Sequence, residues 1–230
     1  MKRKRKTGKK FANRKRTKVS HDAGFSQTTN PMNQIVPRSK NLTLTYESWI
    51  TMSLSGAGTV GYFKYSANSL FDPNPYVGGH QPCGYDQICT LYDRYRVNAC
   101  SIEVTPGATG STPPYVLTLL PVLDGSVVSS SDLIEKPGAT SRLYNGHGSN
   151  PQTTKHFINL KKFLGRSPKD DMRFSALTNA NPEIQIYWAI NMTTSETYAF
   201  GNGPNGQAPD CFVKLKFYAT FMQRDFLETS

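Results

Sequence analysis

The sequence predicts an all-β fold, an eight-stranded antiparallel jelly-roll sandwich that carries a disordered basic N-terminal arm and one or two short helices in its loops. Three observations carry that expectation. Residues 41–230 are rich in Thr, Tyr, Val, Ile and Phe and punctuated by Gly, Pro and Asn, a strand-and-turn composition. Apolar residues recur there with period two, the pattern of a strand with one buried face. The segments between these runs are long and rich in Gly and Pro, notably 106–113, 136–152 and 197–209, and no helical layer accompanies them.

In NLTLTYESWITMSL, Leu42, Leu44, Tyr46, Ile50, Met52 and Leu54 alternate with Thr43, Thr45, Glu47, Thr51 and Ser53, which makes 41–54 the first strand. VGYFKYSA at 60–67 is the second. In GYDQICTLYDRY the residues Ile88, Leu91, Tyr92 and Tyr95 recur at three and four, behind Asp86 as N-cap, and predict a short helix before the third strand. That strand, YRVNACSIEV, runs in one phase through Tyr95, Val97 and Ala99 and in the other through Cys100, Ile102 and Val104, so a β-bulge is expected near Ala99 and Cys100. Strands follow at 114–122, 153–160 and 172–177, with a helical turn in SSSDLIEK, where Ser131 or a neighbour caps. EIQIYWAINM and CFVKLKFYATFM close the set, the latter with Val213, Leu215, Phe217, Ala219 and Phe221 on one side and Lys214, Lys216, Tyr218 and Thr220 on the other.

Charge is distributed unevenly. The first 18 residues hold Lys2, Arg3, Lys4, Arg5, Lys6, Lys9, Lys10, Arg14, Lys15, Arg16 and Lys18 and no acid. Such a segment repels itself and, with only Phe11 and nearby Val19 as apolar anchors, cannot offset its ordering entropy, so a disordered arm is expected. Of 27 basic residues in the chain sixteen remain beyond the arm, matching the 16 acids, and the whole net charge of +11 sits in the arm. A neutral body with a cationic tether suggests one dedicated polyanionic partner, with nucleic acid as first candidate. Residues 19–40, with Pro31 and Pro37 and no periodicity, read as a linker, so 1–40 form arm and linker and 41–230 one domain.

Other classes fit poorly. No lipidation motif, amphipathic apolar face or long apolar run supports a membrane partner. No signal-peptide core follows the basic start, so the chain is expected to be intracellular as made and the sequons at Asn41 and Asn191 to stay unmodified. Cys83, Cys89, Cys100 and Cys211 show no CxxC pairing and are expected to be free, mostly buried thiols; a zinc set of His80, Cys83 and Cys89 lacks the usual spacing and a fourth ligand. The histidines are His21, His80, His147 and His156, and GHGS at 146–149 lacks the strand-to-helix context of a nucleophile elbow. Asp170 and Asp171 are adjacent carboxylates of the kind that more often lie in a solvated loop than on a cation. With no phosphate-binding loop either, no enzyme activity and no cofactor or metal are expected.

Two readings remain: a monomeric nucleic-acid reader, or a subunit that assembles into a shell lined by its arms. A reader needs base-stacking aromatics beside basic residues on an exposed sheet face. Tyr62, Phe63, Lys64 and Tyr65 are the nearest match, yet an aromatic-rich strand is more often core, and assembly is favoured.

The segments SANSLFDPNP, GGHQPCGYDQ and YDRYRVNACSIEV resemble stretches of capsid proteins from small circular single-stranded DNA viruses that encode a replication initiator, the circovirus-like or CRESS DNA group. Those proteins show an ANS-aromatic-DP segment, a G-x-QP-x-GYDQ element and a Y-x-x-YRV lead into the next strand, matched here by Ala67 to Pro73, Gly79 to Gln87 and Tyr92 to Val97. LIEKPGATSRLY is similar to their KPG-containing loop, whereas the arm mixes Lys and Arg where circoviruses proper carry an Arg-dominated one.

The resemblance implies a virion protein forming a T=1-like icosahedral shell of sixty subunits around a single-stranded DNA genome, assembled in the host nucleus, with an unidentified host-cell receptor as a further partner. Within the motif, Gly79, Gln81, Pro82, Gly84, Tyr85, Asp86 and Gln87 are expected to build a rigid turn and tie up loop backbone. Asp93, Arg94 and Arg96, placed on the helix that follows, are candidate subunit contacts, and Arg38 and Lys40 candidate inner-wall contacts. Sixty arms carry about 660 cationic charges against about 690 phosphates in a genome encoding this chain alone, so arms do not neutralise a real genome unaided. The same clusters match the pattern read by nuclear import receptors. RNA viruses also use basic-armed jelly rolls, so DNA as cargo rests on the resemblance.

Overall fold

The computed structural model describes residues 37–55, 60–76, 79–107, 114–123, 131–144, 152–194 and 210–222. The expected arm, the GHGS turn with His147 and the 197–209 loop lie outside the described residues. In chain order the elements are β1 (Ser39–Ile50), β2 (Ser53–Ser55), β3 (Val60–Ser66), α1 (Tyr85–Cys89), β4 (Arg94–Pro106), β5 (Tyr115–Leu123), a 3-10 turn (Ser131–Glu135), β6 (Thr140–Tyr144), β7 (Thr154–Asn159), α2 (Leu160–Leu164), two further 3-10 turns (Pro168–Asp170 and Met172–Phe174), β8 (Ser175–Leu177), β9 (Ile186–Thr194) and β10 (Cys211–Met222).

All strand pairs are antiparallel. One sheet runs β1-β10-β4-β7, with β8 added at the start of β4; the other runs β2-β3-β9-β5-β6. Eight longer strands in two facing sheets form the jelly roll, consecutive ones passing between sheets except for the β5-β6 hairpin, and β2 and β8 are three-residue additions. The inward residues alternate as expected: Leu44, Tyr46 and Ile50 on β1 face Val213, Leu215, Phe217 and Phe221 on β10 and Ile186, Trp188, Ile190 and Met192 on β9 across one core. Trp188 is fully buried and its indole N–H donates to Cys100 Sγ at 3.3 Å; burial pushes that thiol up to about 12. Cys211 is also buried, whereas Cys83 is exposed and Cys89 half-buried.

Several elements differ from expectation for local reasons. The expected strand 41–54 breaks at Thr51 and Met52, because β2 leaves the first sheet to pair with β3 in the second. Thr51 Oγ1 donates to Asp210 Oδ1 at 2.6 Å at this corner. The helix expected in 84–95 shrinks to the five residues of α1. Its N-cap is Gly84 at φ 82°, Asp86 sits in the first turn rather than at the cap, Leu91 is exposed, and Tyr95 belongs to β4. The run 172–177 is strand only from Ser175; Met172–Phe174 forms a 3-10 turn capped by the Asp171 carboxylate, which accepts from the Arg173 backbone N–H at 3.1 Å. β6 shows almost no alternation, since Ser141, Arg142 and Leu143 are all exposed at the sheet edge. α2 is bracketed by Asn159, whose side chain accepts from the Lys162 backbone N–H, and Gly165 at φ 68°. The helical turn expected in SSSDLIEK is the 3-10 turn at Ser131–Glu135, and its Leu133 packs on Leu120 and Ala189 on the back of the second sheet.

The bulge lies at Asn98. Tyr218 pairs with Ala99 and Ala219 with Val97, so Asn98 is the extra residue, one position before the expected pair. On either side of it the inward set changes phase, from Tyr95 and Val97 to Cys100, Ile102 and Val104, all fully buried.

The three segments that carry the family resemblance meet at one end of the sandwich. Asn68 donates to Ile184 O and accepts from the Ile186 backbone N–H, both at 2.8 Å, so a side chain continues the β3–β9 pairing past the end of β3. Ser69 Oγ lies within hydrogen-bond reach of Tyr95 Oη, donates to Asn181 Oδ1 and accepts from the Asp72 N–H. Tyr95 Oη also donates to Ala180 O and Tyr85 Oη to Thr178 O, at 2.9 and 2.7 Å. Gly79 passes so close to Asn74 that a Cβ there would stand 2.9 Å from the Asn74 Cβ. Of the motif residues, Tyr85 bonds the loop carbonyl of Thr178, whereas Asp86 and Gln87 lie exposed on α1. Replacing Asn68 by Ala leaves a buried carbonyl and a buried N–H unpaired. It is expected to cost about 2–4 kcal/mol in urea unfolding, with a lower midpoint at an unchanged slope; a loss under about 0.5 kcal/mol contradicts this role.

Candidate nucleic-acid interface

The first sheet turns its outer face to solvent, and the register places the side chains on it row by row. The end row is Ser39 on β1, Met222 on β10, Arg94 on β4 and Leu177 on β8; the next is Asn41, Thr220, Arg96 and Ser175. Arg38 and Lys40, both exposed, flank these rows at the start of β1. The residues assigned from sequence to an inner wall and those assigned to subunit contacts therefore share one end of one sheet. Arg94 and Arg96 are not on a helix: they occupy alternate positions of β4 and project on the outer face, opposite to Tyr95 and Val97, because β4 starts at Arg94. Asp93 is exposed in the turn before them.

Arg96 is 7% exposed, and burial lowers its guanidinium pKa against an opposing pull from the Asp170 charge. Its Nη1 points at Met222 Sδ, 3.9 Å away. The Nε–H groups of Arg94 and Arg96 are buried without a hydrogen-bond partner among the described residues, which marks this corner as short of acceptors.

Next to Arg96 the bulge residue Asn98 donates from Nδ2 to Thr220 Oγ1 at 2.8 Å, and Thr220 Oγ1 donates to Asn41 Oδ1 at 2.7 Å. This chain lines one wall of a surface cavity of about 300 Å³, closed by Tyr218 and Lys169. Beyond Tyr218 stands Phe157 of β7, with ring centroids 6.0 Å apart at 77°; Phe157 is 55% and Tyr218 37% exposed. A second cavity of about 510 Å³ opens on the far side of Phe157, lined by Asn159, Lys162 and Phe163 among others.

The rest of the face is electrically balanced. Glu47, Lys214, Glu103 and Lys155 form a row across β1, β10, β4 and β7, with Lys214 to Glu47 at 2.7 Å and Lys155 to Glu103 at 3.0 Å. Lys216, opposite Thr45 and Ser101, and Lys169 have no carboxylate partner among the described residues. Trp49, 66% exposed, pairs with Phe212 at the far end. Of the aromatic-rich β3, Tyr65 is fully buried and Phe63 packs against the core, while Lys64 lies over the Tyr187 ring.

The outward Phe157, Tyr218 and Lys216 are the functional candidates that sequence reasoning passed over. Phe157 is out of phase with Ile158 in its own strand, and Lys216 and Tyr218 sit on the polar phase of β10. Asp171 is not a cation site: it receives Arg166 Nη2 at 2.9 Å and Arg173 through Nε and Nη2 at 3.0 and 2.8 Å. His156 Nδ1 is 2.8 Å from Thr140 Oγ1 beside the Trp188 ring, where burial lowers its pKa, and His80 stacks on Tyr46. No cluster of three His, Cys, Asp or Glu suited to a metal occurs among the described residues. Asn191 is buried, so its sequon is closed to modification in the folded chain.

No family model matches the chain, and no curated protein matches it in sequence. Its structure is similar to that of Cocksfoot mottle virus, with TM-score 0.48 and 10% identity over 95% of this chain and 97% of that one. A semi-empty virus-like particle of Macrobrachium rosenbergii nodavirus gives TM-score 0.47 and 13% identity over 81% and 95%. The decameric BFDV capsid protein gives 0.44 and 12% over 81% of this chain and 100% of that one.

The Asp171 pairing makes stability depend on pH. Hydrogen bonds from the Arg173 side chain and backbone, then the charges of Arg173 and Arg166, hold its carboxyl at about 2. Its stabilising contribution is complete above the unfolded value near 4 and is lost as pH falls through about 2. Asp171→Asn is therefore expected to lower Tm at pH 7 and to converge on the parent as pH drops below about 4; a gap constant from pH 7 to pH 2.5 contradicts the pairing.

Proposed function

We propose that the chain is the subunit of a small icosahedral shell, sixty copies strong, that packages a single-stranded DNA genome through its basic arm. The observation that carries this reading is the segregation of charge: the entire +11 lies in the first 18 residues and the jelly-roll body is neutral. Electrostatic binding by such an arm is independent of sequence and weakens steeply with salt. A neutral body tolerates close packing of like copies, which a uniformly cationic one resists.

Further support comes from side chains that the single subunit leaves uncovered. Trp49, Leu143, Met172, Leu123 and Leu91 are all at least half exposed and spread over both sheets and their connections, as expected of a tile with several neighbours. The resemblance of 67–73, 79–87 and 92–97 to circovirus-like capsid segments supplies DNA as the cargo; a small RNA virus capsid is the alternative that shares every physical feature. In this reading Arg38, Lys40, Arg94 and Arg96 add cations where the arm joins the body, and the arm also serves host nuclear import receptors before assembly.

The purified chain is expected to sediment as a large particle. Deleting residues 2–18 is expected to leave particles that form but protect far less nucleic acid from nuclease. A stable monomer that binds oligonucleotides tightly without its arm would favour the non-assembling reader, and unchanged packaging would remove the role of the arm.

A further inference from the structure

We propose that the outer face of the β1-β10-β4-β7 sheet holds a nucleotide track, in which bases of a single strand stack on Tyr218 and Phe157 while Lys169 and Lys216 hold the backbone. The inference rests on the packaging reading and adds a defined protein surface to it. An aromatic on an exposed sheet face costs solubility, and the polar phase of β10 and β7 carries two in contact. Stacking on such rings is tolerant of sequence, because every base has a π-face.

The surroundings fit a nucleotide better than a protein partner. On the Tyr218 side the cavity presents amides. With Asn98 Nδ2 and Asn41 Oδ1 engaged by Thr220, the acceptor Asn98 Oδ1 and the donor Asn41 Nδ2 have no partner among the described residues and are placed for a base edge. Every base offers an adjacent donor and acceptor, so this pair suits any of them. The cavity on the Phe157 side is more apolar, with Pro121, Pro137 and Ile158 in its lining, and adds the Phe163 ring, an amide at Asn159 and a cation at Lys162. Cavities on either side of one aromatic pair, each with an amide and a lysine in its lining, make a track rather than a single pocket.

Charge identifies the occupant. Of the acids of this face, Glu47 and Glu103 are held by Lys214 and Lys155 and the Asp170 charge acts on Arg96, which leaves Lys216 and Lys169 without a carboxylate partner among the described residues. Residues 1–36 precede β1, whose start lies beside Asn41, so a polyanion gathered by the eleven arm cations is delivered to this end of the sheet. The buried Nε–H groups of Arg94 and Arg96 stand at the same end.

The test mixes full-length protein with a 20-nucleotide oligo-dA and with an abasic oligomer of equal length, titrated over a range of salt. The parent is expected to prefer the base-bearing strand roughly tenfold. Tyr218→Ala is expected to erase that preference without changing the salt slope, and Tyr218→Phe to keep it. Lys169→Ala with Lys216→Ala is expected to flatten the slope by about 1 per lysine and to leave the preference. Photocrosslinking of the parent with a bromodeoxyuridine-substituted oligomer is expected to label the peptides of Tyr218 or Phe157, a readout that needs no variant to fold. Equal binding of both oligomers, a preference that survives Tyr218→Ala, or crosslinks confined to the arm would overturn the track and leave the packaging reading standing. Binding of neither oligomer would overturn both.

Discussion

A strand thirteen residues long keeps one face dry only while its period of two is unbroken, and β4 breaks it once, at Asn98. Much of the molecule depends on that insertion. On one side of it Tyr95 turns inward to reach the loop carbonyls at 180 and the Ser69 hydroxyl; on the other Cys100 turns inward beneath the Trp188 indole. Without the extra residue one of these two anchors faces water. The same insertion sends Arg94 and Arg96 outward and leaves Asn98 against Thr220 and Asn41, so the bulge that reconciles the core also shapes the polar corner where the arm joins the fold.

Electrostatics divide along the chain in the same economical way. The body has as many acids as bases beyond the arm, and on the first sheet those charges are paired in a cross-strand row. Exposed pairs of this kind contribute little stability each, but they cancel the field over the middle of the face. Among the described residues, the lysines and arginines of this face left outside that row include Lys216, Lys169, Arg94 and Arg96, the last opposed by the Asp170 charge, near the Tyr218 ring and beside the start of β1.

The fold was legible in the sequence wherever one face of a strand is buried and the other is not. β1 and β10 follow their alternation closely, β9 keeps its inward set but also buries Ala189 and Asn191 of the other phase, and the change of phase in YRVNACSIEV revealed the bulge to within one position. β6 was illegible because an edge strand with a single buried residue writes no pattern. The helix expected through Tyr95 failed because Tyr95 is spaced helically from Tyr92 while its burial comes from the strand phase of β4. The motif residues of 67–73 looked like a signature only; Asn68 and Ser69 turn out to be buried surrogates for missing backbone partners, a role no spacing announces. The outward aromatics were missed for the converse reason. Sequence alternation marks which residues leave the core, and only pairing registers show that Phe157 and Tyr218 leave it side by side.

The proposed packaging role depends on the cationic leader lying inside the proposed particle. Trypsin treatment of intact particles, followed by mass measurement of the chain, addresses this directly, since the leader contains a cleavage site at eleven of its first 18 positions. An enclosed leader predicts full-length mass while the particle is intact and rapid loss of the first 18 residues once it is dissociated. Prompt trimming of intact particles, with their nucleic acid retained, would contradict it.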